Sequence, residues 1–233
     1  MDSKRYTLTA KEPLGEDLIR LELFPADKHP LQYKPGQFVN LGIMKGDECL
    51  VKRPYSIASS PDSPSLEFCI KNIGGQFTSR LPALDTGQEF LVEGPFGGFK
   101  YDEGRPTVFI CGGVGIAPAM SVMRYADGKA TEKIVVFYSA RSPPQMPYRS
   151  SIFEIERRNL HIKVIPALTR EIPPGWTGLA GRFTESDFDR ILRDYSLYTF
   201  FVCGPEKMVD SIKEILLSKG VNEKNAFFEG WKV

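Results

Sequence analysis

The sequence predicts a two-domain protein, with an N-terminal antiparallel β-barrel followed by a C-terminal α/β domain. Its length of 233 residues exceeds the usual size of one domain. The first part alternates apolar and polar residues between turn residues, as half-buried strands do. The second part repeats a compact apolar strand followed by helical periodicity, which indicates a Rossmann-like parallel sheet. We expect domains over residues 1-101 and 102-233, with the boundary near residues 101–105.

Four short segments of the first part predict strands: 19–23, 38–41, 66–71 and 90–92. The Pro-Gly, Asp-Ser-Pro and Gly-Gly breaks between them are typical of turns. Many short strands separated by such turns predict a small antiparallel barrel or sandwich.

The second part contains two apolar runs, 107–111 and 134–138, that predict buried strands. Helix starts are predicted where capping residues have the required spacing, at Ser151 with Glu154 and at Thr184 with Asp187. One face of a late helix is predicted from apolar residues at helical spacing: Met208, Val209, Ile212, Ile215 and Leu216.

Composition and charge exclude several classes of protein. A 42% hydrophobic and 25% charged chain can bury a core, and its net charge of +1 offers no strong field for nucleic acid or an anionic membrane. The four cysteines lack Cys-x-x-Cys spacing, which argues against a zinc or iron–sulfur site and favours buried thiols in a reducing cytosol: Cys49, Cys69, Cys111 and Cys203. The chain shows neither a signal-peptide core nor an apolar run of about 20 residues. We therefore expect a cytoplasmic protein without a bound metal.

The segment from Arg53 to Ser56 combines chemical groups that a flavin requires. A guanidinium can bind phosphate through two parallel hydrogen bonds, and a phenol ring such as that of Tyr55 can stack on the isoalloxazine. A serine hydroxyl can hydrogen-bond the reactive flavin nitrogen. Taken alone, the segment is more simply explained as an ordinary strand with one polar edge.

Two glycine-containing segments follow in the first part. Residues 74–81 combine glycines with a predicted helix start whose N–H and hydroxyl groups can face a phosphate, although a plain turn capped by Thr78 explains them equally. Residues 94–99, Gly-Pro-Phe-Gly-Gly-Phe, predict a tight turn that closes a strand.

In this order the three segments resemble the flavin domain of the ferredoxin-NADP reductase family, with its Arg-x-Tyr-Ser, Gly-x-x-Ser/Thr and Gly-Pro-x-Gly-x-Phe motifs. The resemblance implies that Arg53 and Thr78 hold flavin phosphate, that Tyr55 stacks on the ring, and that Ser56 lies beside the hydride-accepting nitrogen. It also implies FAD as the flavin, since most members use it. Further flavin contacts implied by the family are Pro54, Ile70, Lys71, Gly75, Gln76 and Phe77.

The second part opens with a glycine-rich turn, Gly-Gly-Val-Gly-Ile-Ala-Pro, between a strand and a helix. Gly113 and Gly115 fit the first two positions of a dinucleotide loop, and Pro118 stands where the third glycine would be. A strand-to-helix turn without a ligand is the alternative. The family has Gly-Gly-x-Gly-x-x-Pro here, which implies dinucleotide contacts from Gly113, Gly115, Ile116, Ala117 and Pro118.

Two later segments also resemble the family. A strand that ends in Cys-Gly-Pro borders the nicotinamide in members, which implies contacts from Cys203, Gly204, Pro205 and Met208. Cys203 is equally explained as a buried thiol. More loosely, Glu229 and Trp231 resemble the family's acidic residue near the flavin and its terminal aromatic residue, and two residues follow Trp231 here.

Three arginines bear on the choice of nicotinamide donor. No acid occurs between Val135 and Arg141, whereas an NAD-selective site commonly has a carboxylate at its second strand end. Arg170 and Arg182 lie in segments that resemble those with which bacterial members bind the 2′-phosphate of NADP. The alternative is that all three are solvated surface arginines.

The resemblance implies an oxidoreductase that moves hydride from NADPH to bound FAD, with Ser56, Cys203 and Glu229 as catalytic residues. This sequence contains no cysteine-rich iron–sulfur segment, so we expect electrons to pass to a separate carrier such as ferredoxin or flavodoxin. Two enzyme alternatives remain, an NAD(P)H:flavin reductase and the reductase component of an oxygenase. A non-catalytic, flavin-binding redox sensor is an alternative of another class.

Overall fold

The structure, a computed structural model, describes residues 3–99 and 101–231. Its first part is a six-stranded sheet in which every pair is antiparallel, in the order β4-β3-β6-β1-β2-β5. The strands are β1 Ser3–Gly15, β2 Leu18–Pro25, β3 Phe38–Lys45, β4 Glu48–Ser56, β5 Leu66–Lys71 and β6 Glu89–Phe96. All four predicted strand segments lie within these elements.

The sheet closes on itself where its two edge strands meet. Directly after β4, the Ala58 N–H donates a hydrogen bond of 2.8 Å to the Glu67 carbonyl of β5. Alternate side chains of the strands fill the interior, including Tyr6, Leu41 and Phe90. The predicted barrel is therefore confirmed.

The second part is a six-stranded sheet whose pairs are all parallel, in the order β10-β9-β8-β7-β11-β12. The strands are β7 Thr107–Gly112, β8 Ile134–Ala140, β9 Ile162–Leu168, β10 Leu179–Ala180, β11 Thr199–Pro205 and β12 Ala226–Trp231. The α-helices are α1 Ala117–Ala126, α2 Arg149–Arg158, α3 Glu185–Asp189 and α4 Glu206–Ser218.

Helices cover both faces of this parallel sheet. Side chains of α1 and α2 belong to one apolar core, and side chains of α3 and α4 belong to the core on the opposite face. Strands β8 and β9 follow β7 in the chain and lie on one side of it in the sheet. Strand β11 comes later in the chain and lies on the opposite side of β7. The point between β7 and β11 is therefore a topological switch point, where open α/β sheets bind ligands at the carboxyl ends of their strands.

The predicted helix signals had different outcomes. The Thr184 N–H donates to Asp187 Oδ2 at 2.9 Å, and α3 begins at Glu185, so that capping box is confirmed. The prediction at Ser151 is wrong because Ile152 N–H already bonds the Tyr148 carbonyl, and α2 therefore begins at Arg149. Tyr148, the residue before α2, has a left-handed backbone with φ 60°. Because α2 begins at Arg149, Ser151 lies within its first turn.

The late helix is confirmed as α4, which buries Val209, Ile212 and Leu216 along one face. Its length is ordinary for a globular protein. No helix within residues 3–99 and 101–231 is long and apolar enough to cross a membrane.

Phe99 makes an apolar contact between the barrel and the parallel sheet. It follows β6 and is 2% exposed, and its ring centroid lies 3.6 Å from that of Phe201 and 5.6 Å from that of Phe109. Ala58 and Cys69 of the barrel belong to the same core. The ring thus fills the space between the two domains.

We expect Phe99→Ala to lower the free energy of unfolding by about 3 kcal/mol, because the deletion leaves a cavity between the domains. Phe24→Ala is the control, since Phe24 is 37% exposed, and we expect it to cost under about 1 kcal/mol. Denaturant unfolding measures both values. Equal losses would show that Phe99 is not a structural contact between the domains.

Candidate active site

The segment from Arg53 to Ser56 forms the end of β4, an edge strand of the barrel sheet. Side chains of a strand alternate between its faces, so Arg53 and Tyr55 share a face with Val51. The Tyr55 ring is half-buried and lies 5.0 Å from the Phe77 ring, and burial raises the pKa of its hydroxyl. Pro54 is exposed, and Ser56 is half-buried opposite Phe38 of β3.

A cleft of about 500 Å³ lies between β4 and the short 3₁₀ helix Thr78–Ala83. Its lining residues are Leu50, Val51, Gln76, Ser79 and Arg80. Thr78 does not line the cleft: it is 6% exposed, and its Oγ1 accepts hydrogen bonds from Gly75 N at 3.1 Å and Ile73 N at 3.3 Å. The Thr78 hydroxyl therefore orders the turn, while Ser79 and Arg80 supply polar groups to the cleft.

This side of the barrel fits a flavin phosphate and ring. Arg53 and Arg80 are both exposed and, among the described residues, neither forms an ion pair. The Arg53 guanidinium donates a hydrogen bond of 2.7 Å to the carbonyl of its neighbour Lys52. Unpaired guanidiniums beside a cleft and a half-buried phenol ring are the groups that bind phosphate and a flat heterocycle.

The glycine-rich turn after β7 lies at the topological switch point. Gly113 has φ 54°, a left-handed conformation that favours glycine, and nothing lies within 4 Å of where its Cβ would be. The turn therefore presents bare backbone to open space just before α1, which fits a pyrophosphate at a helix N-terminus. Ile116 and Ala117 are buried, and Pro118 is the second residue of α1.

Gly115 lies against β11. A Cβ on Gly115 would overlap with the Cys203 carbonyl and would lie 2.9 Å from the Trp231 ring. The predicted contacts Gly204 and Met208 are also adjacent, since a Cβ on Gly204 would lie 3.2 Å from Met208 Sδ. The two motifs at the carboxyl ends of β7 and β11 thus meet, although about 90 residues separate them in the sequence.

Cys203, Glu229 and the end of β6 lie together between the domains. Cys203 of β11 and Glu229 of β12 are register partners, and Cys203 Sγ lies 4.0 Å from Glu229 Oε2. A Cβ on Gly97 would lie 3.9 Å from Glu229 Oε1 and 3.2 Å from the Phe38 ring. Because Phe38 pairs with Ser56, the end of β4 also faces this region.

Burial determines the charge states of these two groups. It raises the pKa of the Glu229 carboxyl above its usual range. Burial, with a further contribution from Glu229, raises the pKa of the Cys203 thiol well above its ordinary value. Cys203 is therefore a neutral thiol at physiological pH, and it offers a weak S–H donor rather than a nucleophilic thiolate.

The three arginines of the donor prediction follow the carboxyl ends of three neighbouring strands. Arg141 comes directly after β8, and its carbonyl accepts a hydrogen bond of 3.1 Å from Arg170 N, two residues after β9. Gly181 N bonds the Leu168 carbonyl at 2.8 Å, which brings Arg182 to the same edge. Among the described residues none of the three forms an ion pair, so they constitute a concentration of unpaired positive charge.

Other predicted residues lie at the margins of the site. The Ile70 side chain belongs to the barrel core, and Lys71 is half-buried at the end of β5. Pro205 and Trp231 are register partners at the ends of β11 and β12. The described residues contain no group of three His, Cys, Asp or Glu side chains that could hold a metal.

Sequence reasoning missed Ser79, Arg80 and Gly97. Ser79 and Arg80 directly follow the Gly-x-x-Thr motif, so the polar residues beside the motif were the available signal. Gly97 lies in the turn assigned only to strand closure, and nothing in its local sequence indicates that Glu229 lies opposite.

Two family models match most of the chain. An oxidoreductase FAD-binding domain matches residues 5–101, and an oxidoreductase NAD-binding domain matches residues 109–214. The first match contains the β4 segment and the cleft, and the second contains the glycine-rich turn and Cys203.

Relatives and solved structures are similar over the same extent. The reductase component of propane 2-monooxygenase from Rhodococcus jostii is 30% identical over 97% of this chain, and the chain spans only 62% of that relative's length. Ferredoxin–NADP reductase B from Sorangium cellulosum is 29% identical, with 95% of each chain covered. The structure of a ferredoxin reductase in carbazole 1,9a-dioxygenase is 27% identical with a TM-score of 0.83, covering 98% of this chain and 69% of its own. The chain belongs to the ferredoxin-NADP reductase-like family of oxidoreductases, which joins an FAD-binding domain to an NAD-binding domain.

Proposed function

We propose that this protein is a flavin-dependent NAD(P)H oxidoreductase that transfers hydride from NADPH to bound FAD. The electrons then pass to a separate carrier such as ferredoxin or flavodoxin. The observation that carries the proposal is the meeting of Cys203 and Glu229 with the end of the barrel at Gly97, which lies against Phe38, the strand partner of Ser56. This arrangement gives a flavin and a nicotinamide adjoining sites, and positioning accounts for most of the catalysis in such reactions.

The surroundings support roles for several predicted residues and for Arg80. Arg53, at the end of β4, and Arg80, in the lining of the cleft, bind flavin phosphate, and Tyr55 stacks on the ring. Thr78 orders the turn instead of binding phosphate itself. The bare backbone at Gly113 takes the dinucleotide pyrophosphate. Bound flavin supplies the ability to accept two electrons together and release them singly.

Around the reacting atoms we assign three residues. The Ser56 hydroxyl hydrogen-bonds the reactive flavin nitrogen, and the neutral Cys203 thiol lines the nicotinamide side. Glu229, whose pKa burial raises, holds a proton near the site more readily than an exposed carboxyl. Trp231 covers the crevice at Gly115.

A second candidate acceptor is an oxygenase, because the reductase component of propane 2-monooxygenase is 30% identical to this chain. We also propose the domain boundary at residues 101 and 102, between Phe99 and β7. A cytoplasmic location is supported by the four cysteines, all of which are free thiols.

The proposed reaction is tested by anaerobic stopped-flow mixing of the purified flavoprotein with NADPH. We expect the flavin absorbance of the wild type to bleach, and Ser56→Ala and Cys203→Ala each to slow bleaching roughly tenfold, the value of one lost hydrogen bond. Ser150→Ala, at an exposed position of α2, is the control away from the site. An unbleached wild-type spectrum would instead support the redox sensor, and unchanged rates in both variants would remove the two catalytic assignments.

Coenzyme preference tests Arg170 and Arg182. Guanidinium–phosphate hydrogen bonds contribute about 2 kcal/mol, so Arg170→Ala and Arg182→Ala should each lower the kcat/KM ratio of NADPH over NADH by roughly tenfold to thirtyfold. NADH turnover should barely change. Arg157→Ala, which removes an exposed arginine of α2, is the control. A wild-type ratio below one, or a ratio that neither substitution moves, would make this an NADH enzyme.

Glu229→Gln tests the buried carboxyl through the pH dependence of stability. The pKa of Glu229 is raised in the folded state, so its stabilising, protonated form is fully present only below the unfolded pKa of about 4.3 and is lost as pH rises through the folded value. We therefore expect the variant to have a higher Tm than the wild type at neutral pH, with the gain vanishing near pH 4. Glu214→Gln, at an exposed position of α4, is the control. A Tm difference that does not depend on pH would contradict the assignment.

A further inference from the structure

A buried carboxylate joins the two domains. Glu67 of β5 is 8% exposed, and its Oε2 accepts a hydrogen bond of 2.9 Å from Arg20 of the barrel. Its Oε1 accepts one of 2.8 Å from Arg124 Nη1, which belongs to α1 in the other domain. Burial by itself raises the pKa of Glu67, but Arg124, followed by Tyr148 and Arg20, lowers it below its usual range. Glu67 is therefore an ionised group whose charge is compensated from both domains.

The same helix also binds the backbone that follows β4. Arg124 Nη1 donates a second hydrogen bond, of 2.9 Å, to the Ala58 carbonyl. One turn earlier, Ser121 Oγ donates one of 2.6 Å to the Ser59 carbonyl. Ala58 and Ser59 come two and three residues after Ser56. Helix α1 therefore binds the segment that directly follows the proposed flavin contact.

The opposite end of α1 carries the glycine-rich turn. The helix has ten residues and is about 15 Å long, and it begins directly after Gly113–Ile116. A rigid element thus has the proposed dinucleotide loop at its N-terminus and holds the strand of Ser56 near its C-terminus. The apolar contact of Phe99 is not directional, whereas three hydrogen bonds fix both the rotation and the spacing of the two domains.

The Tyr148 ring packs against the guanidinium of Arg124. Its ring centroid lies 5.1 Å from Arg124 Cζ, and the residue is 7% exposed. Its backbone has φ 60°, a conformation that costs a residue other than glycine of order 1 kcal/mol or more. Strain of this kind persists where the surrounding structure holds a side chain in one position. Here the Tyr148 ring is held against the guanidinium of Arg124.

We propose that Arg124 is a positioning residue for hydride transfer, because it locks the dinucleotide loop at a fixed distance from Ser56 by binding Glu67 and the Ala58 carbonyl together. Arg124 touches neither proposed cofactor site. The inference rests on the proposed function and concerns the geometry between the two sites, so it predicts a loss of transfer rate without a loss of cofactor binding.

The test compares Arg124→Gln, which removes the charge, with Arg124→Lys, which keeps it. Misplacement of reacting groups by about 1 Å costs on the order of a hundredfold, so Arg124→Gln should lower the rate of flavin bleaching by NADPH roughly tenfold to hundredfold. Flavin content and the NADPH concentration at half-saturation should stay within about twofold, and Arg124→Lys should recover most of the rate, because one ammonium can serve both acceptors. The control is Lys129→Gln, which breaks an exposed ion pair of 2.6 Å between the domains, from Lys129 to Asp62.

A second measurement does not depend on turnover. Hydrogen–deuterium exchange should increase in residues 56–60 and 117–126 of Arg124→Gln, and should be unchanged in Lys129→Gln. If the wild type shows no bleaching, the proposed function fails, while increased exchange would still establish the lock between the domains.

Two results would overturn the proposal. One is an Arg124→Gln variant that transfers hydride at the wild-type rate, and the other is a loss of rate accompanied by an equal loss of cofactor binding. Ser121→Ala removes the bond to the Ser59 carbonyl and should slow transfer about threefold, within the value of one hydrogen bond. Should Arg124→Gln fail to fold, Ser121→Ala decides, and a wild-type rate in that variant overturns the proposal.

Discussion

The contact between the backbone of Gly115 and the carbonyl of Cys203 is the constraint on which the candidate site depends. Strands β7 and β11 are adjacent and parallel, so both of their carboxyl ends point to one edge of the sheet. The turn after β7 can lie directly against β11 only because position 115 has no side chain. This close approach places the start of α1, the Cys203 thiol and the Trp231 ring around one crevice.

The barrel is held against that crevice by two interactions with different physics. Phe99 contributes apolar burial, which favours association of the domains but does not depend on their rotation. Glu67 contributes a buried charge that must meet both Arg20 and Arg124, because leaving it unpaired would cost several kcal/mol. Burial therefore keeps the domains together, and the ionic contact defines how they face each other.

Local sequence signals predicted the elements well where one short segment determines the structure. Thr184 with Asp187 and the apolar face of α4 are examples, since capping and helical burial depend on residues within one or two turns. Ser151 with Glu154 has the same spacing and failed, because Tyr148 fixes the start of α2 three residues earlier through its own carbonyl. For Thr78, the motif identified the correct turn, but only the fold shows that the hydroxyl bonds Gly75 and that Ser79 and Arg80 face the cleft.

The sequence by itself determined the order of strands and helices, the turn glycines and the motifs, because each depends on the spacing of nearby residues. The tertiary structure decided which of these residues act together. Cys203 lies 4.0 Å from Glu229, and Arg141, Arg170 and Arg182 share one edge, because the order of parallel strands and not their distance along the chain sets these separations. The raised pKa of Glu229 and the ionised state of Glu67 likewise required the fold, since burial and the nearest charges determine the protonation of a carboxyl.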